Sequence, residues 1–127
     1  MIRIGILGDI GSGKSYVAKQ FGYPVFNADL EVSKLYKKSK KSYMRLKKAL
    51  PYYITSFPVK KKELSSAIDA NQHNLKKINK IIHPEIRRKM NHFIKKNKKR
   101  NFVVLDIPLL LENKINKNND ILIFIDA

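Results

Sequence analysis

An α/β fold is predicted for this chain, with a parallel sheet, flanking helices and an all-helical insertion. Three observations predict it. All five glycines (Gly5, Gly8, Gly11, Gly13 and Gly22) fall in the first 22 residues, where an apolar run is followed by a glycine loop and helical spacing. Residues 30–100 contain no glycine, and their apolar residues recur every three and four positions. Two β-branched runs come next, Phe102–Ile107 and Ile121–Ile125, each with the length of a buried strand.

Taken in order, Ile2–Leu7 is broken only by Arg3 and Gly5 and reads as a buried parallel strand. Residues 13–21 carry Val17, Ala18 and Phe21 at helical spacing, with Gly22 as the stop and Pro24 just beyond. Val25–Ala28 reads as a short second strand and completes a βαβ unit. The insertion is expected to hold four or five helices. Leu75, Ile78, Ile81 and Ile82 make one helical face. Ile86, Met90, Phe93 and Ile94 make another behind His83-Pro84-Glu85, which reads as a cap with Pro at the first helical position. Pro51 and Pro58 bracket a loop containing Tyr52, Tyr53 and Phe57. The expected division is a core of residues 1–29 and 101–127 and an insertion of residues 30–100. Parallel sheets need helices to cover their faces, so a chain that stops just after its last strand reads as a fold with its C-terminal part missing.

Composition narrows the function. A length of 127 residues, 43% hydrophobic and 29% charged, fits one globular domain. No apolar run approaches the roughly 18–20 residues of a membrane span, and Met1–Leu7 lacks the pattern of a signal peptide. With no cysteine, disulfides, thiolate metal sites and cysteine nucleophiles are excluded. A soluble, cytoplasmic, monomeric protein with no membrane partner is expected. The net charge is +17, but 22 of the 27 basic residues are Lys, in short runs beside apolar helical positions. That pattern reads first as a solvated face and second as a field for an anionic small molecule. Nucleic acid ranks last, since no basic stripe is interleaved with aromatic residues.

Gly8-Asp9-Ile10-Gly11-Ser12-Gly13-Lys14-Ser15 matches the phosphate-binding pattern G-x-x-x-x-G-K-[ST], between a strand and a helix. Glycines let successive N–H groups curl around an anion, and the helix N-terminus adds partial positive charge. Lys14 is suited to the β- and γ-phosphates of ATP, and the Ser15 hydroxyl to Mg²⁺. Asp9 puts a carboxylate inside this anion-binding loop. No N-K-x-D or D-x-x-G stands where a GTPase needs it, and the chain is too short for a helicase or motor. A P-loop nucleotide kinase fold acting on a small molecule remains. Such a kinase needs a carboxylate near the acceptor hydroxyl, and Asp29 ends the second strand, on the side where open parallel sheets bind ligands. Asp29 equally suits an N-cap for a helix beginning at Leu30. Asp106 ends a strand like a Walker B carboxylate and suits Mg²⁺ or a structural role, while Glu112 suits orientation of a basic residue or of the acceptor.

These residues resemble the dephospho-CoA kinases. Ile4-Gly5-Ile6-Leu7-Gly8 through Gly11-Ser12-Gly13-Lys14-Ser15 is similar to that family's I-G-L-T-G-G-I-G-S-G-K-S, and Asn27-Ala28-Asp29 to its D-A-D. Ile82-His83-Pro84-Glu85-Ile86 is similar to its H-P motif, and Asp106-Ile107-Pro108-Leu109-Leu110-Leu111-Glu112 to its D-I-P-L-L-F-E. The resemblance implies transfer of the ATP γ-phosphate to the ribose 3′-hydroxyl of dephospho-CoA, the last step of coenzyme A synthesis. It implies Asp29 as catalytic base, with Lys14 also catalytic. ATP would be held by Gly8, Gly11, Ser12, Gly13, Lys14, Ser15 and Tyr16. It places His83 and Glu112 with Asp29 at the acceptor, and Ser15 with Asp106 at Mg²⁺. The sequence departs from the family at Asp9, a usual glycine, at Tyr16, where Thr is common, and at Asn27, an Asp in the family. Its D-G-x-L-D-R stretch is barely visible in Phe57-Pro58-Val59-Lys60-Lys61-Lys62. Family members continue for roughly half as many residues again, through an arginine-bearing lid. The alternatives are another small-molecule kinase resembling the nucleoside monophosphate kinases, or a basic nucleic-acid-binding protein with a vestigial phosphate loop.

Overall fold

Isoleucine at positions 2, 4 and 6 builds strand β1 (Ile2–Leu7), in which Ile4 and Ile6 are buried. The computed structural model describes residues 2–7, 20, 22–107 and 120–124. Beside β1 lie β2 (Val25–Asn27), β3 (Phe102–Ile107) and β4 (Asp120–Phe124), all in parallel pairings, in the order β2-β3-β1-β4. The α/β class with a parallel sheet is as the sequence predicts. Val103, Val104, Leu105 and Asp106 are buried one after another, the mark of a strand covered on both faces. Ile4, Ile6 and Val104 form a core cluster, with Val25 and Phe102 packed against it. Phe26 meets Phe93 at a centroid distance of 5.6 Å.

Strand ends differ from the sequence reading by single residues. β2 stops at Asn27 because Ala28 already starts a helix, and β4 begins at Asp120. Gly22 takes φ 69°, the left-handed conformation suited to a helix stop. The expected helix over residues 13–21 lies outside the described residues except for Gln20.

Four further helices are described: α1 (Ala28–Lys38), α2 (Lys40–Ala49), α3 (Lys61–Ala70) and α4 (His73–Lys96). Ser39 caps α2, its hydroxyl accepting from the Ser42 N–H at 3.1 Å. Lysine pairs close three of them, Lys37 and Lys38, Lys47 and Lys48, Lys95 and Lys96, where positive charge offsets the negative end of the helix dipole. Glu63 in the first turn of α3 accepts from the Thr55 N–H (2.9 Å), the Thr55 hydroxyl (2.6 Å) and the Ser56 hydroxyl (3.1 Å). It ties the Pro51–Pro58 loop to the helix, while Ile54 and Val59 anchor that loop in the core.

The two apolar faces predicted on either side of His83-Pro84-Glu85 belong to one helix. α4 runs through Pro84, which lies inside it and is exposed. A buried stripe at intervals of four, Asn74, Ile78, Ile82, Ile86 and Met90, passes the proline without a change of register. Packing of that stripe outweighs the one backbone hydrogen bond that proline removes. Leu75, expected inside, is exposed, and its neighbour Asn74 is buried instead, donating to the Ala67 carbonyl at 2.8 Å.

The chain divides into two compact units, Met1–Asp29 with Arg88–Ala127, and Leu30–Arg87. The first boundary coincides with the sequence reading. The second falls at Arg87/Arg88 inside α4 rather than at residue 100, because the last turns of α4 carry Phe93, which packs on Phe26 of the sheet unit.

Candidate active site

Parallel strands end on one side, so the carboxyl ends of β1, β2 and β3 form a common edge. In register, Asn27 stands beside Asp106, Asp106 beside Ile6, and Leu7 beside Ile107. The phosphate-loop motif begins at Gly8, the residue after Leu7. Gly8, Gly11, Ser12, Gly13, Lys14, Ser15 and Tyr16 lie outside the described residues, as does Glu112. Asp29, His83 and Asp106 are described.

Asp106 is the carboxylate of this edge. It sits on β3, between β2 and β1, and is 1% exposed. Its Oδ2 accepts a hydrogen bond from the Asn27 Nδ2 at 3.2 Å. A buried ionised carboxylate needs such donors to replace water. The sequence reading noted Asn27 only as a departure from a motif and missed the pairing. The available signal was a polar residue closing each of two apolar strands.

Asp29 is exposed and is the second residue of α1. The N-cap expectation assumed a helix beginning at Leu30, but α1 begins two residues earlier, at Ala28. The Asp29 carboxylate therefore belongs to the first turn, where negative charge is favoured by the helix dipole. It is two residues beyond Asn27, so a short stretch of chain brings Asn27 and Asp29 to the edge that carries Asp106.

His83 belongs to the helical unit and is half-buried on α4, not at a helix start as the cap alternative required. Burial, with the Arg87 guanidinium nearby, lowers its pKa below the usual histidine value. Near it, Glu85 is buried with Oε1 3.6 Å from both Lys41 Nζ and Arg45 Nη1, joining α2 to α4. Among the described residues there is no cluster of three or more His, Asp or Glu side chains that could hold a metal ion, and no helix long and apolar enough to cross a membrane.

A family model described as dephospho-CoA kinase matches residues 2–127. The dephospho-CoA kinase of Wolbachia pipientis wMel is 36% identical over 129 aligned residues, covering 98% of this chain and 66% of the relative. That of Bartonella henselae is 37% identical over the same length and shares. Among solved structures, TT1252 from Thermus thermophilus aligns with a TM-score of 0.72 and 27% identity over 99% of this chain and 65% of that one. The dephospho-CoA kinase from Campylobacter jejuni gives a TM-score of 0.72 at 21% identity, over 96% and 64%, a likeness of fold. The chain thus spans a little under two thirds of the length of the relatives it matches.

Proposed function

Because the chain belongs to the dephospho-CoA kinase family, we propose that it acts in ATP-dependent phosphorylation of the ribose 3′-hydroxyl of dephospho-CoA, giving coenzyme A and ADP. The observation that carries the reading is the edge holding Asp29 and Asp106, the same edge at which β1 runs into the phosphate-loop motif. In this mechanism the sheet unit binds ATP and residues 30–100 hold the acceptor, with His83 and Glu112 contributing to the acceptor site. Lys14 and the amides of Gly8–Ser15, with Tyr16 alongside, hold the phosphates and stabilise charge on the transferring group. Asp29 orients the 3′-hydroxyl and takes its proton as the oxygen attacks the γ-phosphorus and the bond to the ADP oxygen breaks.

The residues fit Mg²⁺. A buried Asp106 carboxylate oriented by the Asn27 amide, together with the Ser15 hydroxyl of the motif, is a hard oxygen set of the kind that ion prefers. Few protein ligands are expected, since Mg²⁺ takes the rest of its shell from water and phosphates. When bound, the ion supplies charge neutralisation on the β- and γ-phosphates. Asp106 and Ser15 hold it, and Asn27 keeps the Asp106 carboxylate in place.

The test is mass spectrometry of the 127-residue protein with ATP, Mg²⁺ and dephospho-CoA, beside Lys14→Ala. Coenzyme A made by the unaltered chain alone supports the reading. Absence of product together with absence of dephospho-CoA binding overturns it.

A further inference from the structure

Helix α4 carries a second chemical feature, wholly within the helical unit. Lys76, Asn79, Lys80, His83, Pro84 and Arg87 line an open groove of about 390 Å³. Their spacing of three and four residues puts them along one face of the helix. This face is not the apolar stripe of Ile78, Ile82 and Ile86, so the groove is not an extension of the core. From Lys76 to Arg87 the helix rises roughly 16 Å.

Charge sets this groove apart from the other basic surfaces. Elsewhere in the unit the carboxylates are engaged: Glu31 with Lys34, Glu85 with Lys41 and Arg45, and Glu63 with Thr55 and Ser56. The groove is lined by three permanent cations and no carboxylate. Among the described residues, Lys76, Lys80 and Arg87 make no ion pair. The positive field there is strong enough that Arg87 helps hold the His83 pKa down, which favours the neutral imidazole, able both to donate and to accept. The Asn79 amide adds one more donor and acceptor, and Pro84 an apolar wall. A concave site of this size suits a small molecule better than the convex backbone of a duplex.

We infer that this groove is an anion subsite for the diphosphate of the acceptor nucleotide, with Lys76, Lys80 and Arg87 as its charge partners and Asn79 and His83 as hydrogen-bonding groups. The inference rests on the acceptor reading above. It assigns to the first part of α4 the recognition of a diphosphate ester, a role distinct from phosphate binding at the glycine loop. A lysine can follow a diphosphate as a flexible point charge, while Arg87 can grip two oxygens at once.

The experiment is calorimetric titration of the 127-residue protein with dephospho-CoA, ATP, inorganic pyrophosphate and a 12-base-pair DNA duplex. Lys76→Gln/Lys80→Gln is compared with Lys61→Gln/Lys62→Gln in the first turn of α3, which removes the same charge outside the groove. The groove variant is expected to weaken dephospho-CoA and pyrophosphate by about tenfold. The control variant, and ATP with either variant, should stay within about twofold. Equal losses in both variants would mean a general charge effect and overturn the subsite, as would a loss that follows ATP or the duplex instead. If the unaltered chain binds dephospho-CoA and the groove variant binds it equally well, the subsite falls and the kinase reading stands. If the unaltered chain binds pyrophosphate and ATP but not dephospho-CoA, the acceptor reading falls and this inference with it.

Discussion

Asn27 and Asp106 are register partners on adjacent parallel strands, and the amide of the first donates to the carboxylate of the second at 3.2 Å. The acidic group is almost sealed from water, so the neutral donor beside it bears directly on its cost. Asn27→Ala is expected to destabilise the protein by about 1–3 kcal/mol. In metal-free buffer Asn27→Asp is expected to cost at least as much, because it sets a second carboxylate against the first. Millimolar Mg²⁺ should recover the Asp variant more than the Ala variant. Urea unfolding followed by circular dichroism, with and without Mg²⁺, checks all three outcomes.

Asp29 is exposed in the first turn of α1, so its substitution touches little of the core. Asp29→Asn is expected to lower turnover by about 10²-fold or more, while ATP affinity changes by less than about threefold. Steady-state kinetics and nucleotide titration on the same preparation measure the split. Parallel losses in both would point to a structural role.

Two groups set opposite features of the acid limb. The folded-state pKa of His83 is lowered, by burial and then by Arg87, so the unfolded chain binds its proton more readily. Stability from this residue is whole above the ordinary value of 6.5 and is lost as pH falls below it. The Glu63 pKa is pushed up by desolvation, but hydrogen bonds from Thr55, Ser56 and Lys60 outweigh that and leave it lowered. Its contribution is present above the ordinary 4.5 and is lost as pH falls through the folded value. In denaturant titrations, His83→Gln should flatten the stability curve just below pH 6.5, whereas Glu63→Gln should flatten it only at more acidic pH.

Pro84 lies on the exposed side of a helix that continues through it. Pro84→Ala restores a backbone donor and is expected to stabilise the protein by about 1–2 kcal/mol, less than the full helix-interior penalty because the unfolded chain also gains freedom. Thermal denaturation checks the sign. A loss of stability would mean that the proline shapes the helix more than it weakens it.

Lys41 and Arg45 approach the same oxygen of a buried Glu85, and both are more than half exposed. Each alone should be replaceable by Met at a cost of about 0.5–1 kcal/mol, because the other cation still faces the carboxylate. The double variant is expected to cost more than the two singles together, by about 1 kcal/mol. Additive losses in a double-mutant cycle would show that the two cations act independently.

Much of this was legible from the residues. Strand runs such as Phe102–Ile107 could be read because β-branched residues buried on both faces leave an uninterrupted apolar signal. Pro84 misled because a proline in a helical pattern ordinarily marks a start, and only the packing of Ile82 and Ile86 on either side shows the helix continuing. Asn74 and Asn27 were invisible as structural residues for a related reason. Their value comes from a carbonyl seven residues away and a carboxylate 79 residues away, and local pattern carries neither. Asp29 and Asp106 could be picked out because each follows an apolar strand, where an acidic side chain has no core reason to be.

The strand order also dictates a sequence of events during synthesis. β1 and β2 follow each other along the chain but never touch, since β3 stands between them. An emerging N-terminal strand therefore has no described neighbour to pair with until residue 102 has been made, and closing so long a loop is slow. The intervening helices make contacts of short sequence separation and can form while the strand waits. The ribosome thus delivers the helical unit first, and the edge that carries Asp29 and Asp106 comes into being only when β3 slots into the gap.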